Sequence, residues 1–347
     1  MTRIRVLVVD DSAFARKVIR QVLAQSPHIE VVGSAYDGLD AIDRIAELTP
    51  DVVTLDLVMP NLDGVGLLQA IQKLPEERRP RVVVVSMSGG DSDLAIAALH
   101  EGAVDIVQKP TALADDRLYE LSDELTRKVE AAATARVRPS SSAAVSKTPR
   151  VPAVAVQTPK HDLVVIGAST GGPQAVAALL SGLPKSFPVP IAVVVHIPEG
   201  FSQSLAEHFD RVSELSVTEA ADGDLLRAGS VLIARAGQHL TFENTGDGYR
   251  ARLSLEPRET VHRPSVDVTF ASAAKVATGC VLGVVLTGMG KDGLEGARAV
   301  RARGGTLLTQ TEASSVVYGM PRVVWEDGLA AAEADIEAMP ALLVRHL

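Results

Sequence analysis

Residues 163–173 read LVVIGASTGGP, a short apolar run followed by a turn of small residues and a proline. The β-branched run predicts a buried strand over Leu163–Gly167, and the glycines after it predict a tight turn. From Gly172 to Leu180 the pattern is helical. The stretch therefore predicts a strand–turn–helix unit, which is the building block of α/β folds.

In the rest of the C-terminal part, further strand and helix patterns flank a middle region that is richer in strands. Around residues 213–255, strand patterns separated by glycine turns dominate. The flanking patterns predict further strands at Ile191–Val195, Val281–Leu286 and Thr306–Thr309, with a helix at Gly293–Arg303. We therefore expect an α/β domain with a mostly parallel sheet and a β-rich insertion.

The N-terminal part repeats the alternation of strand and helix five times. The predicted strands are Ile4–Val9, Glu30–Ser34, Asp51–Leu55, Arg81–Val85 and Val104–Val107, and the predicted helices are Ala13–Gln25, Gly38–Leu48, Gly64–Lys73, Asp91–Glu101 and Asp115–Ala133. Near-continuous apolar strands are typical of a buried parallel sheet covered by helices on both faces. The pattern predicts a flavodoxin-like, doubly wound domain.

One composition shift separates the two parts. Residues 137–160 are rich in proline, serine and alanine and have neither helical nor strand periodicity, which is typical of a linker. We predict an N-terminal domain over residues 1–134, a flexible linker over 135–160 and a second domain over 161–347.

Composition excludes several classes of protein. The chain has 347 residues, a formal net charge of −9 and 3% aromatic residues, so it lacks the basic, aromatic surface of a nucleic-acid binder. Its single cysteine excludes an intrachain disulfide. No apolar stretch approaches the roughly 20 residues that span a bilayer, and no secretion signal precedes Asp10. We expect a cytoplasmic protein without membrane insertion.

Charged and hydroxyl side chains follow four of the N-terminal strands. Asp10 and Asp11 end the first strand, Asp56 the third and Ser86 the fourth, and Lys109 follows the fifth. Because the carboxyl ends of parallel strands share one edge, these groups are expected to converge. Clustered carboxylates suit Mg²⁺, and a carboxylate beside it can accept a phosphoryl group. The alternative is that the acids cap helices, as Asp11-Ser12 could for the first helix.

These residues, together with Asp56-Leu-Val-Met-Pro60, closely resemble response-regulator receiver domains. The resemblance implies phosphorylation of Asp56 by a histidine kinase, and Mg²⁺ held by Asp10, Asp11, Asp56 and the Val58 carbonyl. It also implies that Ser86 is the switch hydroxyl and Lys109 the phosphate-binding lysine. The chain departs from the family at Ile106, where an aromatic switch residue is common.

Three strand ends of the C-terminal domain carry a serine, a histidine and an aspartate. Ser169 lies in Gly-x-Ser-x-Gly, a pattern that allows a tight turn to expose a nucleophilic hydroxyl. His196 ends the next strand and is placed to act as its base, and Asp292 could orient the imidazole. Alternatives remain for each group: a dinucleotide-binding loop around Ser169, a backbone-bonded His196, and an Asp292 that caps the following helix.

Five segments resemble the CheB family of chemotaxis methylesterases: 167–173, 196–198, 262–267, 287–293 and 312–321. The resemblance implies Ser169 as nucleophile, His196 as general base and acid, and Asp292 as the orienting carboxylate. It further implies the Met289 amide as an oxyanion donor and Thr170 at the site rim. The chain departs from the family at Ala234-Arg-Ala-Gly237, where Ala-Pro-Gly is usual.

The expected activity is hydrolysis of glutamate γ-methyl esters on chemoreceptors, with deamidation of glutamines at the same site and no cofactor for the ester chemistry. By resemblance, the unphosphorylated receiver domain covers the esterase cleft until Asp56 is phosphorylated. Two other classes of function compete: a phosphorylation-dependent docking module without activity, and a receiver-regulated dehydrogenase. His208, His239 and His262 show no metal-binding spacing and are interpreted as surface or core histidines.

Overall fold

The computed structural model describes residues 3–87, 91–109, 115–135, 160–246 and 248–347. The chain divides into two compact units, Met1–Ala143 and Ala144–Leu347. Residues 136–159 hold nearly all of the predicted linker and lie outside the described residues, so its bounds and those of the two domains stay a prediction. Among the described residues, no helix combines the length and the apolar character that a membrane crossing requires.

The N-terminal unit is a doubly wound sheet, as predicted. Its elements are β1 (Ile4–Val9), α1 (Ala13–Leu23), β2 (Ile29–Ala35), α2 (Gly38–Leu48), β3 (Val52–Leu55), α3 (Gly64–Gln72), a 3₁₀ turn (Glu76–Arg78), β4 (Arg81–Ser86), α4 (Ser92–His100), β5 (Asp105–Gln108) and α5 (Asp115–Thr134). The strands pair in parallel in the order β2-β1-β3-β4-β5. All four residues of β3 are buried, which explains its unbroken apolar sequence.

The order of the strands reverses between β1 and β3, and ligands bind at such a switch point in this class of sheet. Val9 pairs with Leu55 there, and the amide of Asp56 donates to the Val9 carbonyl at 2.9 Å. The two acidic strand ends are therefore side by side. Asp37 and Asp63 are the N-caps of α2 and α3, because their side chains accept backbone amides of the first turn.

The C-terminal unit has a seven-stranded sheet and a small three-stranded one. Its elements are β6 (His161–Ala168), α6 (Gly172–Ser181), β7 (Ile191–Val195), α7 (Ser202–Val212), β8 (Ser216–Glu219), β9 (Leu225–Leu226), β10 (Ser230–Ile233), β11 (His239–Asn244), β12 (Tyr249–Ser254), α8 (Val266–Val276), β13 (Cys280–Val285), α9 (Leu294–Ala302), β14 (Thr306–Gln310), α10 (Met320–Glu326), β15 (Ala332–Ala334) and α11 (Met339–His346). The large sheet is parallel throughout, in the order β15-β14-β13-β6-β7-β10-β8.

The region predicted as one β-rich insertion is divided between the two sheets. β8 and β10 extend the parallel sheet beyond β7, whereas β9, β11 and β12 form the separate antiparallel sheet. Because alternating apolar residues predict a strand but not its partner, the sequence did not reveal this division.

The large sheet also has a switch point. From β6 the chain builds the sheet through β7 on one side and later through β13 on the other. The carboxyl ends of these three strands carry the residues predicted to react. β6 and β13 are buried on both faces, so their ends are fixed by the core of the unit.

Candidate active site

Ser169 lies in a turn held by backbone hydrogen bonds. Its amide donates to the Thr287 carbonyl at 3.0 Å, and its own carbonyl accepts from the Gly172 amide at 2.6 Å. Gly171 adopts a left-handed conformation (φ 72°), which a residue with a side chain rarely adopts. The turn places the serine, 8% exposed, directly before α6.

His196 is brought to the same edge by the pairing of β6 and β7, since its amide donates to the Ala168 carbonyl at 3.1 Å. Its Nε2 lies 2.8 Å from Oδ2 of Asp292. A carboxylate only accepts hydrogen bonds, so Nε2 carries the proton in the neutral ring and Nδ1 carries the lone pair. Nδ1 is buried and has no hydrogen-bond partner among the described residues. It is the ring nitrogen left to act as a base.

Asp292 accepts four hydrogen bonds, including the one from His196. Oδ2 also accepts from the amide of Val266 at 2.8 Å, and Oδ1 accepts from the Ser265 hydroxyl and the Asp267 amide, each at 2.9 Å. Although burial favours the neutral acid, His196 and the two amides hold the pKa of Asp292 well below its ordinary range. The alternative that Asp292 caps the helix after it is wrong, because its carboxylate caps α8 instead of α9.

The predicted oxyanion donor, Met289, follows a glycine that packs against the serine. A Cβ placed on Gly288 would come within 2.8 Å of Cβ of Ser169, so the loop that leads to Met289 packs directly against the nucleophile. Thr170 is 1% exposed, and its carbonyl accepts from the Thr287 hydroxyl at 3.0 Å. Thr170 is thus buried, and its backbone is tied to the same loop.

His262 belongs to the site although it was interpreted from the sequence as a surface or core histidine. Its ring stacks on that of His196, with centroids 3.9 Å apart and planes 19° apart. A signal was present, since His262 opens the 262–267 segment that resembles the family. Spacing alone did not reveal it, because the histidine lies on a loop.

Residues 234–237, where the sequence departs from the family, take part in a small polar network. Nε of Arg235 donates to Glu219 at 2.9 Å, and the other oxygen of Glu219 accepts from the Ser202 hydroxyl at 2.6 Å. The Ala236 amide donates to the same hydroxyl. These contacts hold the turn at 234–237 in place.

The receiver unit brings its predicted residues together at the switch point. One oxygen from each of Asp10, Asp11 and Asp56 lies within 4.8 Å of the others. Nζ of Lys109 lies 2.6 Å from Asp10 and 2.7 Å from Asp56. Ser86 is fully buried at the end of β4, and its hydroxyl has no hydrogen-bond partner among the described residues. Ser12 caps α1, as the alternative interpretation of this cluster allowed.

Charge at this site favours a divalent cation and a phosphoryl group. Burial raises the pKa of Asp56, and Lys109 opposes that shift. The hydrogen bonds and charges of Asp10 and Asp56 raise the pKa of Lys109 although burial lowers it. Three carboxylates face one ammonium, and the excess negative charge and hard oxygen donors fit Mg²⁺. The unused Ser86 hydroxyl is suited to bond a phosphoryl oxygen. Val58, the remaining predicted ligand, is half exposed on the loop after β3.

Comparisons with known proteins agree with this architecture. Residues 164–343 match the CheB methylesterase family, and residues 6–120 match the response regulator receiver domain. The chain is 55% identical to protein-glutamate methylesterase/protein-glutamine glutaminase 5 of Myxococcus xanthus, over 99% of this chain and 98% of that protein. A protein-glutamate methylesterase/protein-glutamine glutaminase of Symbiobacterium thermophilum is 44% identical over 94% and 92% of the two chains.

A solved structure is similar to the C-terminal unit. The CheB methylesterase catalytic domain of Thermotoga maritima is 40% identical, with a TM-score of 0.53, and covers 54% of this chain and 99% of that one. The fold and the site define a response-regulator receiver domain joined to a hydrolase domain with a parallel α/β sheet. The chain belongs to the CheB methylesterase family.

Proposed function

We propose that this protein hydrolyses γ-methyl esters of glutamate residues on chemoreceptors, and glutamine side-chain amides at the same site, through Ser169, His196 and Asp292. One observation carries the proposal. The three side chains follow adjacent parallel strands, with Nε2 of His196 bound to Asp292 and Nδ1 buried without a partner among the described residues. A serine, a histidine and an aspartate at neighbouring strand ends, with the imidazole bound to the carboxylate, are the groups that nucleophilic hydrolases use.

The first half of the reaction forms an acyl-enzyme. Oγ of Ser169 attacks the ester carbonyl while Nδ1 of His196 takes the hydroxyl proton. The amide of Met289 is the proposed donor to the oxyanion, with the site rim completed by Thr170. His196 then gives the proton to the leaving methoxide, and methanol departs. For a glutamine substrate, the leaving group is ammonia.

The second half reverses the proton path. Water attacks the acyl-enzyme, His196 takes its proton, and the Ser169 oxygen leaves with that proton as glutamate is released. Throughout, the Asp292 carboxylate stabilises the imidazolium and holds its orientation. The charges balance, because each proton that His196 accepts is returned in the same half-reaction.

Phosphorylation of Asp56 is the proposed control. The carboxylate would receive a phosphoryl group from a histidine kinase of the chemotaxis type, and Lys109 and Ser86 would bond the phosphoryl oxygens. Asp10, Asp11, Asp56 and the Val58 carbonyl would hold Mg²⁺, which supplies positive charge to the phosphoryl oxygens when bound. The kinase, the receptors and the cytoplasmic location remain predictions.

A fluorophosphonate probe tests the nucleophile directly. We expect labelling of the full chain at Ser169, complete loss of label in Ser169→Ala, and wild-type labelling in the control Ser186→Ala, whose serine is exposed elsewhere in the unit. A folded chain that takes no label would contradict the hydrolase and favour the docking module. Binding of NAD to the unlabelled chain would favour the dehydrogenase.

A further inference from the structure

The N-terminus of α8 forms a socket around the Asp292 carboxylate. Three of the four hydrogen bonds to Asp292 come from consecutive residues, the Ser265 hydroxyl and the amides of Val266 and Asp267. Ser265 is 3% exposed. Its hydroxyl is the one side-chain donor among these three, and it binds Oδ1, the carboxylate oxygen that does not face His196.

We propose that Ser265 is a positioning residue for the reaction: by holding Oδ1, it fixes the rotation of the Asp292 carboxylate and so the orientation of His196. This inference rests on the proposed function of Ser169, His196 and Asp292. Backbone amides also bind the carboxylate, Val266 at Oδ2 and Asp267 at Oδ1, and survive any side-chain substitution. The hydroxyl is therefore the one contact to this carboxylate from α8 that a mutation can remove alone.

A buried histidine, His239, binds the backbone of Ser265. His239 is fully buried, and its Nδ1 accepts the Ser265 amide at 3.2 Å while its Nε2 lies 3.0 Å from the Pro257 carbonyl. Nε2 therefore carries the proton, and the ring is neutral. Burial also lowers the pKa of His239, in agreement with a neutral ring. The backbone of Ser265 thus has a fixed position from which its hydroxyl points to Asp292.

The loop that carries Asp292 is fixed independently of Ser265. Oδ1 of Asp267 accepts the amides of Gly293 at 2.9 Å and Gly296 at 2.7 Å. Asp267, in the first turn of α8, therefore caps α9, while Asp292, just before α9, caps α8. This exchange anchors the main chain directly after Asp292. Loss of the Ser265 hydroxyl should leave the loop in place but remove one of the two donors to Oδ1, so the carboxylate is held less tightly. The same hydroxyl caps α8 by accepting the Val268 amide at 3.4 Å, so the urea midpoint of the variant should also fall.

The test compares full-length variants on methylated receptor membranes with acetyl phosphate and Mg²⁺ present. Ser265→Ala removes the hydroxyl, and Ser265→Thr retains one. Ser272→Ala is the matched control, because it removes a 2.9 Å hydrogen bond from the Phe242 amide to the same helix, away from Asp292. The measured quantities are kcat and KM for methanol release, and the urea midpoint of each variant.

Misplacement of a reacting group by about 1 Å costs up to roughly a hundredfold in rate, so we expect Ser265→Ala to lower kcat about ten- to a hundredfold. KM should change less than about twofold, since ground-state binding is retained. Ser265→Thr should recover most of kcat, and Ser272→Ala should match wild type. If Ser265 had only a structural role, kcat would instead fall in step with the urea midpoint across the three variants.

Wild-type kcat in Ser265→Ala would overturn the inference, as would a folded Ser265→Thr that is as slow as Ser265→Ala. Both results leave the proposed function intact if Ser169→Ala is inactive in the same assay. A wild-type chain that labels with fluorophosphonate nowhere and releases no methanol would overturn the proposed function and this inference with it.

Discussion

The imidazole rings of His196 and His262 lie face to face, with their centroids 3.9 Å apart. Hydrogen bonds fix His196 only in the plane of its ring, through Nε2 and Asp292. The stacked ring adds a restraint perpendicular to that plane. Aromatic contacts of this kind contribute about 0.5–1.5 kcal/mol beyond the area that they bury. His262 thus limits the tilt of the ring that must transfer the proton.

Removal of this ring should slow the reaction without unfolding the protein. We expect His262→Ala to lower kcat by roughly tenfold, in line with a stacking energy of about 1 kcal/mol or slightly more. His262→Phe retains a flat ring and should keep most of the wild-type kcat. Methanol release from methylated receptors measures both variants. A His262→Phe variant as slow as His262→Ala would assign His262 a role other than stacking.

The close approach of Gly288 to the nucleophile predicts a second effect on activity. In Gly288→Ala, the new Cβ would lie 2.8 Å from Cβ of Ser169 and would also meet the Met320 side chain, so the turn must shift. We expect kcat to fall at least roughly tenfold, because the hydroxyl moves relative to His196. The free energy of unfolding should fall by about 1–3 kcal/mol.

A second glycine provides the control for that substitution. Gly328 has a φ of 70° and no atom within 4 Å of a built Cβ, so Gly328→Ala strains the backbone by about 1–2 kcal/mol without contact at the site. Its kcat should equal that of wild type. Equal losses of kcat in both variants would mean that general destabilisation, rather than displacement of Ser169, explains the Gly288→Ala result.

Local sequence patterns predicted the strand ends that carry Ser169, His196 and Asp292. This prediction was possible because apolar runs mark parallel strands, and because the carboxyl ends of such strands share one edge. The same reasoning brought the receiver residues together around Asp56. Each of these groups is located by its own strand, which the pattern of neighbouring residues reveals.

The contacts that orient those groups could not be predicted in the same way. His262 and Ser265 reach the site from the segment between β12 and α8, which does not follow a strand of the large sheet. Their positions depend on the packing of α8 against β13 and β6, which is a tertiary contact without a local signal. For the same reason, the sequence did not predict that β8 and β10 belong to the large sheet.

A buried histidine away from the site predicts a pH-dependent stability. Burial lowers the pKa of His161, whose Nε2 lies 3.0 Å from the Thr306 hydroxyl. The unfolded chain binds a proton at this residue near pH 6.5, whereas the folded chain does not. The contribution of His161 to the free energy of unfolding is therefore complete above that pH and is lost as the pH falls below it.

Urea unfolding of the wild type and His161→Gln at pH 7.5 and 5.5 measures this contribution. The stability advantage of the wild type over the variant should shrink between the two pH values, because only the wild type has this proton to bind on unfolding. An advantage that stays constant, or grows as the pH falls, would show that His161 is not held neutral by the fold.

Regulation by the receiver domain predicts a gain of activity on its removal. We expect a chain that lacks residues 1–150 to release methanol faster than the unphosphorylated full chain, and to be insensitive to acetyl phosphate. Initial rates at equal concentration of fluorophosphonate-reactive sites make the comparison fair. A shortened chain with reactive sites that is no faster than the full chain would contradict inhibition by the receiver.

Methanol release from methylated receptor membranes measures the Ser169 esterase and the Asp56 switch in one assay. We expect release by the full chain to rise when acetyl phosphate and Mg²⁺ are added, to stay at its basal rate in Asp56→Asn, and to vanish in Ser169→Ala. Removal of a triad serine costs several orders of magnitude in rate, so the last result should be unambiguous. Near-full release by Ser169→Ala would exclude Ser169 as the nucleophile, and a wild-type rate indifferent to the phosphodonor would exclude Asp56 as the switch.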